Sequence, residues 1–198
     1  MSLVIENEDE FNDMVIKDCM IENSDACHVI FNEVTFKNVT FIEIDWKSTQ
    51  FIHVRFENCD LSNINIEKGV FHYTSFEKCK LIGTHLMEAS MREVSFNECQ
   101  CDYLVIGESM LKEVDFHECK MNQAAISLCK LSHTTFDHCD MQLIEFSNTK
   151  LKGIDLSTCI IDGISIRIED IRGMSISYFQ AVEFAKMLGM NVVEEAEN

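Results

Sequence analysis

The chain has 198 residues, of which 46% are hydrophobic, enough for one ordinary domain with an ample core. Thirty-four acidic against sixteen basic residues leave a net charge of −18, which argues against direct DNA or anionic-membrane binding, since both need positive surface. A basic partner is the natural expectation, with plain solubility as the alternative, and the absence of proline together with only seven glycines favours a long uninterrupted array over loops and hairpins.

Residues 1–10 carry no basic region leading into a long apolar run. They read as an N-terminal cap, neither signal peptide nor membrane anchor, and place the protein in the cytoplasm. Without a secretory signal, the ten cysteines lose the usual compartment of a disulfide framework.

From Phe11 onward every fifth residue is apolar: Phe11, Ile16, Ile21, Ala26, Phe31, and so on through Leu86, Met91, Phe96 and Cys101 to Ile176. Five matches neither a helix at 3.6 residues per turn nor a strand at two, so the backbone must turn a corner every five residues. Four corners close a coil of about twenty, which explains why Val94-Ser-Phe-Asn-Glu-Cys99 returns as Val114-Asp-Phe-His-Glu-Cys119. The centre of each five points inward and stacks on its equivalent in the next coil, about 4.8 Å away if coils pair like neighbouring strands.

The position two before each centre repeats as well, in small or medium residues such as Val29, Val34, Val39, Ile44, Thr49 and Val54. Cys19, Cys59, Cys79, Cys99, Cys119, Cys139 and Cys159 occupy it on one face, and Cys129 on the opposite face. A zinc site wants ligands clustered at short spacings, and strand-like stacking is poor disulfide geometry, so the thiols read as small core fillers.

Two residues after each centre the chain faces outward. There Glu88, Glu93 and Glu98 fill three successive corners, and Glu108, Glu113 and Glu118 the same corners one coil later, with Asp102 and Asp115 adding to the patch. Like charges in register destabilise a sheet unless offset, and Arg92, Lys112 and Lys120 are the neighbours expected to do so. The seven histidines form no nucleophile–base–orienter set by spacing, no phosphate-binding Gly motif is present, and no cofactor or metal is expected.

After Ile176 the rhythm changes. Ser177-Tyr-Phe-Gln180 has the form of a capping box, Ala181, Phe184, Ala185 and Leu188 fall on one helical face, and Gly189 is a natural stop. Residues 177–193 therefore read as a helix with a short apolar extension, and 194–198 as an acidic tail. The helix caps the open end of the coil. Tyr178, Phe179, Phe184, Met187, Leu188, Met190 and Val192 exceed what one coil end can cover, which suggests a symmetric dimer interface.

The five-residue unit resembles that of the pentapeptide-repeat family, a small residue, Asp or Asn, Leu or Phe, and two variable polar positions, over residues 11–176. Asp or Asn precedes the centre at Asp25, Asp45, Asp60, Asn65, Asp115, Asp140, Asp155 and Asp170, and is elsewhere often replaced. The resemblance implies an all-β solenoid, a right-handed quadrilateral parallel β-helix.

The ending, Asp170-Ile-Arg-Gly-Met-Ser-Ile-Ser-Tyr-Phe-Gln-Ala181 followed by Lys186-Met-Leu-Gly-Met190, is similar to that of the Qnr quinolone-resistance and MfpA-like DNA-mimic proteins. This resemblance implies a non-enzymatic homodimer, joined through its C-terminal ends, that imitates duplex DNA, binds DNA gyrase or topoisomerase IV, and protects them from quinolones or modulates them. The alternative is a structural rod with another basic partner. Many Qnr proteins carry two loops that interrupt the coil. Here the register never slips, so any excursion is expected near Ala26, residues 46–50 or residues 101–107.

Overall fold

The computed structural model describes residues 5–193; the acidic tail expected at 194–198 and the first four residues of the expected N-terminal cap lie outside them. A left-handed backbone conformation recurs at every fifth position from Glu8 to Gly153. Each such residue is a corner. The conformation costs an L-residue on the order of 1 kcal/mol, yet glycine supplies it within that run only at Gly83 and Gly153. At Gly83 a Cβ would come within 2.6 Å of Asn63 Oδ1, the tip of a side chain one coil earlier, so another residue there would only have to turn that amide aside.

Four corners bring the chain back over itself after twenty residues. Glu10 pairs with Ile30, Ile30 with Gln50, Gln50 with Val70, Val70 with Ser90, Ser90 with Met110 and Met110 with Lys130, all in parallel. The result is a parallel β-solenoid of about eight turns closed by one C-terminal helix. Its first two coils are long extended runs, β1 (Glu10–Cys27) and β2 (Ile30–Lys47); later coils alternate short strands with tight turns. The three places where an excursion was expected contain none: Ala26 pairs with Trp46, Gln50 with Val70, and the Cys101 N–H donates to Lys120 C=O.

The inward centres form columns. Phe56, Phe76, Phe96 and Phe116 stack face to face with ring centroids 4.7, 4.7 and 4.6 Å apart, close to the strand spacing itself. Trp46 is accommodated because its indole N–H donates to Ser24 Oγ at 2.9 Å, and that hydroxyl donates on to Ile5 C=O.

The second inward position is more than filler. Cys79, Cys99, Cys119 and Cys139 point their thiols at the carbonyls of Phe56, Phe76, Phe96 and Phe116, at 3.3–3.4 Å. Thr74, Ser109 and Thr149 do the same on other sides toward Phe51, Leu86 and Ile126. Small side chains with a weak or strong donor recur here because a centre carbonyl one coil earlier lies within reach of them.

A ring held between two others should be hard to remove. Phe96→Ala should lower unfolding free energy by about 3–5 kcal/mol, whereas Phe11→Ala, at a half-buried ring with a neighbour on one side only, should cost clearly less. Denaturant titration of the two variants tests this, and equal losses would contradict it.

Candidate protein-binding surface

In the coil of residues 88–107, Glu88, Glu93, Glu98 and Tyr103 are the four corners, separating sides 89–92, 94–97, 99–102 and 104–107. Glu88, Glu93 and Glu98 have φ of 53°, 54° and 51°, and Glu108, Glu113 and Glu118 one coil on have 51°, 57° and 51°. Left-handed geometry turns these side chains off the convex edges of the rod. The pairing of Ser90 with Met110 and of Val94 with Val114 sets Glu93 over Glu113, about 4.8 Å apart at strand spacing.

Three of the rod's edges therefore carry a glutamate doublet. Asp115 joins them on the side between Glu113 and Glu118, where it accepts a hydrogen bond from Thr135 Oγ1 at 2.6 Å. Together with Glu93 and Glu113 it borders a shallow groove of about 300 Å³. Asp102 does not face this region: it lies on the side beyond the Glu98 edge, where its carboxylate accepts the Asn122 N–H at 2.9 Å.

The like-charge doublets are bracketed by cations. Lys68 lies 3.8 Å from Glu88 and Lys78 3.4 Å from Glu98, each one coil earlier on the same edge. Arg92 and Lys112 reach Glu93 and Glu113 from the adjoining side, both at 3.7 Å, and His117 approaches Glu118 at 3.6 Å. Lys120, expected to help, makes no ion pair among the described residues. Exposed pairs of this kind contribute roughly 0–1 kcal/mol each, so they soften the repulsion without hiding the charge.

The sequence reading passed over a second acidic region. Eight of residues 6–25 are acidic and only Lys17 is basic, a denser surplus than on residues 88–127, where eight acids meet three bases. The signal was a plain charge count per twenty residues.

At the C-terminal end, helix α1 (Tyr178–Met187) starts with the expected capping box: Ser177 Oγ accepts the Gln180 N–H and Gln180 Oε1 accepts the Ser177 N–H. Gln180 also seals the coil, its Nε2 donating to the carbonyls of Leu156 and Cys159 at 2.8 Å. Phe184, expected at a dimer surface, is instead buried against the last coil as part of the core. Tyr178 and Phe179 are more than 80% exposed, and Met187, Leu188, Met190 and Val192 are exposed too. Residues 190–193 lie outside any strand or helix.

Among the described residues no group of three or more His, Cys, Asp or Glu is placed to hold a metal ion. No helix among the described residues is long and apolar enough to cross a membrane. All ten cysteines are free. The Cys59 thiol beside Cys79, and burial, push Cys79 up to about 12; the Cys119 thiol and burial do the same for Cys139. Both are thiols at neutral pH and inert. Alkylation of the native protein near pH 8 should accordingly modify the half-buried Cys19 and Cys27 first, with the remaining eight reacting only on unfolding. Rapid native labelling of Cys99 or Cys119, read by mass spectrometry, would contradict the ladder.

The comparisons with known proteins agree with this architecture. A family model described as a pentapeptide repeat region matches residues 50–121 and 69–142. A second, described as pentapeptide repeats in eight copies, matches residues 30–67 and 126–163. No curated protein sequence matches the chain.

Among solved structures, a trypsin-treated variant of QnrB1, described as a plasmid-mediated fluoroquinolone resistance protein, is similar with a TM-score of 0.52 and 15% identity, covering 98% of this chain and 99% of that one. A second trypsin-treated QnrB1 variant gives 0.49 and 16% over 98% and 100%. HetL, described as a pentapeptide repeat protein involved in heterocyst differentiation regulation in the cyanobacterium Nostoc sp. strain PCC 7120, gives 0.32 and 11% over 85% and 87%.

Proposed function

Because this chain belongs to the pentapeptide-repeat family, whose fold offers outward faces on a rigid rod, we propose that it is a DNA-mimicking binding protein, not an enzyme, whose target is a type II topoisomerase, DNA gyrase or topoisomerase IV. The observation that carries this reading is the stacking of Glu88, Glu93 and Glu98 over Glu108, Glu113 and Glu118 on three edges of the rod. Residues 88–127 hold a surplus of five negative charges over two coils. At about 4.8 Å per coil that is one net charge per roughly 2 Å, against about 1.7 Å for duplex DNA.

A basic saddle built for duplex phosphate meets a comparable field on this surface. The Qnr-like ending adds support, since QnrB1 is described as a fluoroquinolone resistance protein. In this reading residues 5–10 cap the coil, the repeat region presents the charge, and the segment from Tyr178 to Val192 joins two copies end to end. Tyr178, Phe179, Met187, Leu188, Met190 and Val192 form that junction, all exposed in the single chain. Phe184 belongs to the cap.

A second reading, a rod for some other basic partner, is favoured by one observation. Lys68, Lys78, Arg92 and Lys112 pair with four of the six edge glutamates, as on an ordinary solvated face.

Gyrase supercoiling measured with the purified protein, with and without ciprofloxacin, separates the two readings. The first expects inhibition of supercoiling or its rescue from the drug, and no effect of either kind at micromolar protein removes it. Replacing Glu93, Glu98, Glu113 and Glu118 together by glutamine should weaken gyrase binding by at least about tenfold and flatten its salt dependence; unchanged affinity would leave the edges as solvated surface only. For the junction, Phe179→Asp should give monomers by light scattering, and a dimer that survives it would move the interface elsewhere.

A further inference from the structure

The two ends of the rod are finished differently. Helix α1 covers the last coil, burying Phe184 and satisfying the Leu156 and Cys159 carbonyls through Gln180. At the other end residues 5–9, the described residues before β1, cover one side only. Glu8 N–H donates to Cys27 C=O, Ile30 N–H to Asp9 C=O, and the Asn7 side chain accepts the Cys27 N–H. Over residues 10–22 no described residue pairs with β1 on the face turned away from β2.

The polarity of that edge follows from the ladder. Throughout the coil, N–H groups at positions such as Gln50, Lys80 and Ser90 donate to the coil before, and carbonyls such as those of Lys47, His72 and Glu77 accept from it. By the same pattern the Val15 and Met20 N–H groups and the Asn12 and Lys17 carbonyls point away from β2, where no described residue meets them. The core is open there too. Met14 is 41% exposed and Phe11, Ile16 and Cys19 are half-buried, whereas Val34, Phe31, Phe36 and Val39, their equivalents one coil on, are 0–1% exposed.

Natural sheets blunt such an edge with lysine, proline, a bulge or a covering element. Proline is absent from the chain and Lys17 is the one basic residue of this coil. What surrounds the edge is acid: Glu10, Asp13, Asp18 and Glu22 are all exposed. Two copies meeting end to end here would oppose these rings of like charge, so the coil repels its own kind. The same ring attracts a cationic chain.

We propose that the N-terminal edge of β1 is a docking site for a basic, extended polypeptide segment that adds to the solenoid as a further strand. Its main chain would bond to the Val15 N–H and the Lys17 carbonyl on the side between the corners at Asp13 and Asp18. An apolar side chain would close over Ile16, and its lysines or arginines would lie against the acidic ring. A straight segment fits only the one side between the corners at Asp13 and Asp18, so the recognised stretch is short. This site is separate from the edge glutamates of residues 88–118 and does not depend on the topoisomerase reading.

The test uses fluorescence anisotropy with a labelled peptide of about seven residues, alternating Lys or Arg with apolar residues around one central Phe, and a control in which Glu replaces each base. The full chain should bind the basic peptide with salt-sensitive affinity and leave the acidic one free. Val15→Pro should weaken binding at least about tenfold with an unchanged melting temperature, because the N–H it removes and the ring it adds both face away from β2. The edge variant with glutamine at 93, 98, 113 and 118 should bind as the parent does.

Should Val15→Pro melt lower, amide hydrogen exchange on the unaltered chain decides instead: peptide must protect the Val15 amide. No binding, binding unaffected by a folded Val15→Pro, or binding without that protection overturns the proposal. So does a concentration-dependent dimer abolished by Val15→Pro, which would assign the edge to a second copy.

Discussion

The left-handed corner at every fifth residue is the constraint from which the remaining structure follows, because it fixes which atoms point inward and which point out before any side chain is chosen. Thirty such corners at on the order of 1 kcal/mol each would unfold a chain that gained nothing in return, and most lie on residues with a Cβ. The gain comes from register. Once corners recur at a fixed interval, every coil hydrogen-bonds to the next along its whole length, and each buried centre stacks on the equivalent centre of the next coil, in one column phenylalanine on phenylalanine. Neither the ladder nor the columns survive a single slip, which is why the array is uninterrupted.

Most of this was legible in the sequence, since a period of five in apolar residues has few geometric solutions and the echo at twenty selects one. The turn chemistry was not. Nothing in Glu88, Tyr103 or Leu128 announces a left-handed backbone, as a glycine or asparagine would; the ladder imposes it. The cysteine positions were legible as interior, but their orientation toward the centre carbonyls required knowing how one side is offset from the side beneath. Phe184 reads as surplus because the apolar residues from Tyr178 onward outnumber what one coil end can cover. Phe184 lies within α1 and enters the core, whereas Leu188 is the C-cap residue beyond its last turn and remains exposed.

The acidic surface divides in the same way. That Glu93 stands over Glu113 follows from a spacing of twenty and needs no structure. That Lys68 and Lys78 stand beneath Glu88 and Glu98 follows from the same rule, since cations twenty residues away lie nearer in space than most sequence neighbours. The displacement of Asp102 to another side is a matter of which corner it follows: Asp115 comes after the corner at Glu113, Asp102 after the one at Glu98.

A corner residue projects from a convex edge, where solvent screens its charge better than on a flat side. Placing glutamate there is therefore inexpensive, and the fold itself exerts almost no choice over the residue that occupies it. The interior columns report on folding, while the edges are free to be set by what the rod must meet. The same logic separates the two acidic regions. In the middle of the rod the ladder is complete on both sides, so the charge on the edges can act only through its field. On the first coil the charge surrounds unpaired backbone and half-open core, where field, hydrogen bonding and apolar burial act on the same short segment.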